Sequence, residues 1–514
     1  MSMTILLASI AVSVIGGFLA LFLGRSAHAA KVVACLFGMG SALLAVLAGF
    51  QGVIGQGACL SVATPFSFAD FTLLLNPIAG LLLAIINVLA FAAFLYGLSY
   101  FDEYKENGLG AMGLFMNLFI ASMNVLVVAD NAFWFLVFFE LMSLTSYFLV
   151  VVEQKKQSIK GGFMYLVMAH VGFLMIMISY FIMASQTGSF EFAAYRVHDF
   201  GPALGSLAFV LAFFGFGCKA GMVPFHSWLP QAHPAAPSNV SALMSGGMIK
   251  IGVFGIIKVG LDLLSGTDCM LWWGLLVLVV GAVSSVLGVV YALGEHDIKK
   301  LLAYHSVENI GIVALFLGFG GPLGIAAALL HCVTHGLTKS FLFCLSGNVL
   351  MKYGTRDLNE ISGVLKAMPA TGVLLAMGFF ALAGFPPFAM FVSEITGITA
   401  GVMDGRWIVL AIFVIALTIV VAACAHVVTA AVFGKVPDHI KKGDVGVAAL
   451  VPEIILAVTL LWFGVAAPQP MLQCVEDATG IVTQSSTEAL HETPVVNILF
   501  SQTDGASAGM KVER

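Results

Sequence analysis

The chain has 514 residues, 60% of them hydrophobic and 10% charged, and a formal net charge of −5. Soluble globular domains carry about 25% charged residues, so this composition cannot coat a water-facing surface and points to an all-α, polytopic membrane protein. It excludes a soluble enzyme, a disordered chain and a disulfide-stapled secreted domain. No extended basic stretch supports nucleic-acid binding. The eight cysteines include no C-x-x-C pair, so no iron–sulfur, zinc or disulfide framework is offered.

In chain order, about fourteen apolar runs long enough to span a bilayer follow one another: 3–24, 32–52, 72–99, 111–129, 131–152, 159–184, 203–232, 240–264, 270–292, 298–318, 323–350, 367–402, 406–433 and 447–467. The first precedes Ser26-Ala27-His28-Ala29, which looks like a signal-peptidase site. No Lys or Arg comes before the run, and ~20 residues is long for a signal core, so it is assigned as the first membrane helix. Runs 203–232 and 367–402 are too long for a straight span and contain prolines. The expected divisions are helices 1–3 (1–110), helices 4–8 (111–264), helices 9–13 (265–435), helix 14 (436–470) and a polar external tail, mostly loop or disorder, from 471 to 514.

Lysine and arginine in the connecting loops set the orientation. The odd-numbered loops hold Arg25, Lys31, Lys105, Lys155, Lys156, Lys160, Lys299, Lys300, Lys352, Arg356, Lys366, Lys435, Lys441 and Lys442, whereas the even ones hold only Arg196 and Arg406. That bias makes the odd loops cytoplasmic and both termini external, in the cytoplasmic (inner) membrane of a prokaryote.

A few charges fall inside the runs: Lys219, Lys250, Lys258, Lys339, Glu140, Glu308 and Glu394, with His170, His226, His305, His331, His335 and His426. A charge at mid-bilayer costs about 2.5–3.5 kcal/mol on insertion scales, so such groups persist where they face one another or water. Lys258, near a run's end, is read as snorkelling to the surface. For His170 and His426, snorkelling and an internal role both stay open. Glu140, Lys219, Lys250 and Glu394 are read as ion-handling groups.

His331, His335 and Lys339 recur every four residues, one stripe of a helix. The stripe is compatible with a metal pair, a hydrogen-bonded structural pair or a proton relay. No Glu follows His331 as in metalloproteases and no third ligand is evident, so no metal is assigned and a relay is preferred. His305 and Glu308 form a smaller pair that extends it, with His305 expected close to the cytoplasmic surface.

The two broken runs carry the architecture. Lys219 is followed by Gly221, Pro224 and Pro230, and the second break reads Gly384-Phe385-Pro386-Pro387, seven residues before Glu394. Proline deletes a backbone donor and frees a carbonyl, which a membrane tolerates only inside protein or beside a hydrated cavity. The broken runs are the seventh and twelfth, five apart and so opposite in direction. Helices 4–8 and 9–13 are therefore expected to be two inverted five-helix repeats, as in many ion transporters.

The run KAGMVPFHSWLPQAHPAAPSNVSALMSG from Lys219 to Gly246, closing with MIK at 248–250, resembles the central signature of the antiporter-like membrane subunits of complex I, Mrp antiporters and energy-converting hydrogenases. FELMSLTSY around Glu140 is similar to that family's helix-5 glutamate segment, and HDIKKLLAYHS at 296–306 to its helix-10 motif. The His331, His335, Lys339 stripe resembles its helix 11, and the break ending in Glu394 its helix 12. Within the family, His233-Pro-Ala-Ala-Pro-Ser and HSVENIG at 305–311 look most like the large membrane subunit of formate hydrogenlyase and hydrogenase-4. Gln231 departs from the Asp usual in complex I. The polar tail, where the largest members continue into a lateral helix and another span, is taken to fit a shorter hydrogenase-type subunit.

The resemblance implies that Glu140 and Lys219 face each other in one half-channel. Lys250 would be the central relay, and His331, His335 and Lys339 would lead to Glu394 near the exit. It implies proton or sodium translocation coupled to electron transfer in partner subunits, other membrane subunits and a peripheral redox arm. The NiFe and iron–sulfur clusters would lie in those partners and no cofactor in this chain. An Mrp-type secondary antiporter is the alternative, and a structural anchor with a dead channel is a third.

Overall fold

The computed structural model describes residues 1–54, 57–66, 68–267, 270–483, 487 and 490. Uninterrupted apolar sequence satisfies its own backbone by coiling into helices, and thirteen helices among the described residues are long and apolar enough to cross a bilayer. They coincide with thirteen of the expected runs. The remaining run, 367–402, is occupied by two short apolar helices, Pro369–Leu382 and Ala389–Met403.

Local sequence sets several helix starts. Asn76 accepts from the Ala79 amide at 2.9 Å, with Pro77 in the first turn. Asn131 and Asp297 cap Ala132–Val150 and Ile298–Phe319 in the same way. The run expected from residue 72 therefore begins late, at Pro77. Its first residues form a strand instead, Phe71–Leu75, paired antiparallel with Ala58–Val62 so that Ala58 faces Leu75 and Val62 faces Phe71. Alternation could not be read from Phe71-Thr72-Leu73-Leu74-Leu75, where an apolar run is ambiguous between strand and helix.

The tail expected to be structureless from 471 begins instead as a helix, Gln469–Thr483. Met471, Leu472, Cys474, Val475 and Ala478 are buried along one side of it, packed on Pro77–Tyr100 and Gly321–Tyr353. Their spacing is that of an amphipathic helix, which the polar composition of the whole tail concealed. The rest of that tail, Thr487 and Leu490 apart, lies outside the described residues, as does Cys269.

Both long runs break, on a shared plan. Gly201–Ala220 ends at Gly221 with φ 79°, and the helix resumes at Leu229–Ala235 before Ser238–Leu263. Pro369–Leu382 ends before Gly384 with φ 67°, and the helix resumes at Ala389–Met403. In each case a proline stands three residues beyond the left-handed glycine, Pro224 and Pro387, and the Val223–Pro224 and Pro386–Pro387 bonds are cis. Pro230, expected to break the first run, sits in the first turn of the resumed helix. No intrahelical donor is needed there, so it starts that segment.

The connections gather by parity. A cavity of about 390 Å³ is lined by Glu153 and Lys155 of the fifth loop, Pro234 and Ala235 of the first broken run, and Gly354 and Arg356 of the eleventh loop. On the even side, Asp130 and Arg196, from two successive even connections, meet Asp262 in the last turns of Ser238–Leu263 in one ion cluster. A missed or invented span between them would have scattered these groups over both faces.

Candidate functional site

Lys219 occupies the last turn of Gly201–Ala220, where a cation complements the helix's free carbonyls. Its ammonium is buried and donates to Ser143 Oγ and to the Tyr165 hydroxyl, each at 2.8 Å. Phe139 and Tyr165 turn their rings toward it, 5.5 and 5.1 Å from Nζ to centroid. Glu140 is not in contact with it. That carboxylate lies 3.5 Å from His170 Nε2 on a partly exposed face, and its Oε1 is buried without a partner. Ser143 is one turn beyond Glu140 on the same helix, so Lys219 holds the position next to the glutamate rather than the glutamate itself.

Tyr165 continues inward. Its hydroxyl is 2.6 Å from Ser146 Oγ and 3.5 Å from Met248 Sδ, two residues before Lys250. Met244–Met248 is a π-helical turn, and within it the Ser245 carbonyl accepts from Lys250 Nζ at 2.7 Å. The same Nζ lies 2.7 Å from His335 Nδ1. Gly246 leaves room for this approach, since a Cβ on it would crowd the Gly336 carbonyl and the Leu89 side chain.

From Lys250 the polar file runs along Gly321–Tyr353, which is buried through its membrane window. The His335 and His331 rings are nearly parallel, 4° apart with centroids 6.3 Å apart. His331 reaches Ser393 Oγ at 2.9 Å and Asn309 Oδ1 at 3.1 Å. Asn309 donates to Glu308 at 2.5 Å, and Glu308 lies 3.3 Å from His305 Nδ1. Lys339 Nζ donates to the Leu302 carbonyl at 2.9 Å. His305 is fully buried, two turns into Ile298–Phe319, where Gly288 and Gly311 let Met270–Leu293 pack closely against its helix.

Glu394 follows Ser393 in the resumed half of the second broken helix. A Cβ on Gly384 would collide with its carboxylate. The carboxylate therefore lies in the break itself, close to the start of the half-helix Ala389–Met403, where free amides favour an anion.

The structure thus lines up Lys250 bonded to His335, the His335 and His331 rings stacked without a hydrogen bond between them, and His331 bonded through Asn309 to Glu308 and His305. Lys219 and Tyr165 approach this file at the Met248 thioether, and Glu394 follows Ser393 in sequence. Glu140 stands at one edge. Polar neutral residues supply the links: Ser143, Tyr165, Ser245, Asn309 and Ser393. Sequence reasoning that followed charges missed them, although each is a polar side chain inside an apolar run.

Lys258 is corrected. It does not snorkel: it is buried, with Asp130 and Asp262 each 3.5 Å away. Arg196 completes the cluster, bonding Asp130 at 2.5 Å and Asp262 at 2.7 Å. Asp262 at four residues from Lys258 was the available signal. His170 is half-exposed beside Glu140. Among the described residues, no three His, Cys, Asp or Glu side chains are placed to hold a metal.

Residues 129–420 match the family described as NADH:quinone oxidoreductase/Mrp antiporter, transmembrane. The chain is 48% identical over 343 residues to hydrogenase-4 component B of Escherichia coli (strain K12), covering 65% of this chain and 51% of that one. It is 31% identical over 388 residues to formate hydrogenlyase subunit 3 of the same strain, covering 71% and 62%. The chain thus spans about half the length of the hydrogenase-4 component. A chain of the membrane-bound sulfane sulfur reductase, an archaeal respiratory membrane complex, shares the fold with a TM-score of 0.84 at 20% identity, over 96% of this chain and 99% of that one. Matched across more than half its length, this multi-pass membrane chain belongs to the NADH:quinone oxidoreductase/Mrp antiporter transmembrane family.

Proposed function

We propose that the chain is a proton- or sodium-translocating subunit of a membrane-bound redox complex of the hydrogenase or formate hydrogenlyase type. The observation that carries this is the row of buried ionisable groups, Lys219, Lys250, His335, His331 and Glu394, running between two broken helices with hydroxyl and amide side chains among them. Such groups are costly in a bilayer and are retained where ions move. The odd loops face the cytoplasm, the membrane is the cytoplasmic one, both termini are external, and helices 4–8 and 9–13 are inverted repeats. The shared Gly-to-Pro spacing of the two breaks supports the last point.

In this reading Lys219 is the switch. Its ammonium rests on Ser143 and Tyr165, one turn from Glu140, and a small shift of either helix would exchange those neutral partners for a carboxylate. A carboxylate at contact favours the charged lysine, and its withdrawal favours release of the proton. Tyr165 passes the proton inward toward Lys250. The His335 and His331 imidazoles, each able to accept on one nitrogen and donate from the other, carry it on toward Ser393 and Glu394. Partner subunits with NiFe and iron–sulfur clusters and a peripheral redox arm supply the driving force.

The test is Lys219→Ala in the assembled complex, reconstituted in liposomes. Ion uptake coupled to electron transfer should fall to background while electron transfer and subunit composition persist, and normal uptake would overturn the switch. The Mrp-type reading, favoured by the family match alone, predicts instead that the isolated chain exchanges cations for protons with no redox partner.

A further inference from the structure

Among the buried ionisable groups outside the file above, one carboxyl stands apart. Glu453 is fully buried on Val447–Val465, and both its oxygens accept from Asn348 Nδ2, each at 2.8 Å. The groups facing it are few. Pro77–Tyr100 contributes Tyr96, with Tyr100 a turn beyond, Gly321–Tyr353 contributes Cys344 with Asn348, and Asp444 lies in the segment before its own helix. Pro369–Leu382 has no titratable side chain, and Ala389–Met403 has Glu394, which is turned to Gly384. No cation pairs with it among the described residues. An unpaired carboxylate is expensive in such a place, whereas a carboxyl carrying its proton is neutral and still accepts the Asn348 bonds.

A line of hydroxyls leads away from it. Asn348 Oδ1 accepts from the Tyr96 hydroxyl at 3.0 Å. A Cβ on Gly347 would fall 2.5 Å from that hydroxyl and 3.0 Å from Ser238 Oγ, so both lie against the bare glycine backbone, without a hydrogen bond between them. Tyr100 donates to Ser238 Oγ at 3.2 Å and its oxygen is 3.5 Å from the Tyr104 hydroxyl. Glu153 and Arg356, the electrostatic neighbours of Tyr104, line the cavity of about 390 Å³ on the odd-loop face.

We infer that Glu453 is a second proton-binding site, separate from the Lys219–Glu394 file, which exchanges its proton with the odd-loop cavity through Tyr96, Ser238, Tyr100 and Tyr104, with Asn348 as its latch. On uptake, an O–H bond of the Tyr96 hydroxyl breaks as one forms on Glu453. Ser238 re-protonates Tyr96 once a side-chain rotation beside Gly347 brings their hydroxyls together, Tyr100 re-protonates Ser238, Tyr104 re-protonates Tyr100, and Tyr104 takes its proton from water admitted from the cavity that Glu153 and Arg356 line. The Asn348 amide stands between Tyr96 and the carboxyl, so it must rotate aside before the transfer.

Labelling tests this whether or not the chain pumps. The whole complex is treated with dicyclohexylcarbodiimide, which attacks protonated carboxyls in apolar surroundings, over a pH series, and labelled peptides are quantified by mass spectrometry. Glu453 should be labelled at low pH and progressively less as pH rises, with N348A labelling several-fold faster and E453Q providing the blank. An unlabelled Glu453 at every pH overturns the site, and an unchanged rate in N348A overturns the latch. Should N348A fail to assemble, the pH series on the unaltered complex still decides the site.

Discussion

The two broken helices are built alike and charged oppositely. At the first, the ionisable residue is a lysine in the last turn before the break. At the second, it is a glutamate beyond the break, in the half-helix that resumes. Free carbonyls end the first half-helix and free amides begin the second, so each break takes the sign of charge that its helix end favours. Side chains on a helix lean toward its N-terminus, which carries Glu394 back onto Gly384. One backbone device thus holds a lysine in one half of the chain and a glutamate in the other.

The titratable groups nearest the two breaks also differ in exposure. Glu140, beside the first, is 27% exposed in its side chain, and its histidine partner is 51% exposed. The groups along the second half are enclosed.

Substitutions can break this comparison, and Lys219→Ala, with coupled uptake at background, sets the upper limit. Gly384→Ala should come next. It forces a Cβ into the Glu394 carboxylate and a side chain into a left-handed conformation, which alone costs about 1–2 kcal/mol. Coupled uptake should drop at least tenfold, whereas Gly354→Ala, left-handed with open space around it, should lower thermal stability by the conformational cost only. Equal uptake in the two variants would mean that Glu394 need not lie in the break. Ser143→Ala removes one of two neutral acceptors from Lys219, a bond to a charged group worth about 1.5–3 kcal/mol. It should slow uptake several-fold without abolishing it, as measured by dye quenching in the same liposomes.

Arg196→Ala should have the smallest effect on transport. It leaves Asp130 and Asp262 with Lys258 as their remaining cation. Disrupting a buried ion pair costs about 3–5 kcal/mol at most, so melting of the complex should fall while uptake per assembled complex is unchanged. A loss of uptake at intact stability would move this cluster into the ion path.

Much of this was legible from residues alone, for identifiable reasons. Fourteen apolar runs announce themselves because a bilayer demands uninterrupted apolar sequence, and Gly384-Phe385-Pro386-Pro387 announces a break because proline removes a donor. Lys250 and His335 stand out because charge is rare in such runs, and their spacing places the His331 stripe on one helix face. The helix at Gln469–Thr483 was hidden by averaging over a polar tail, and the strand at Phe71–Leu75 by an apolar run with no period.

Sequence by itself therefore determined the membrane architecture, the alternation of the loops and the small set of charges in costly places, since each follows from the transfer of single residues out of water. Tertiary structure decided their partners. Lys219 rests on Ser143 and Tyr165 rather than Glu140, Lys258 is clamped by Asp130 and Asp262 rather than reaching solvent, and Glu453 is bound by Asn348 from a helix about a hundred residues away in sequence. Cost of burial is a property of one residue, but satisfaction is a property of two, and only packing brings the second one near.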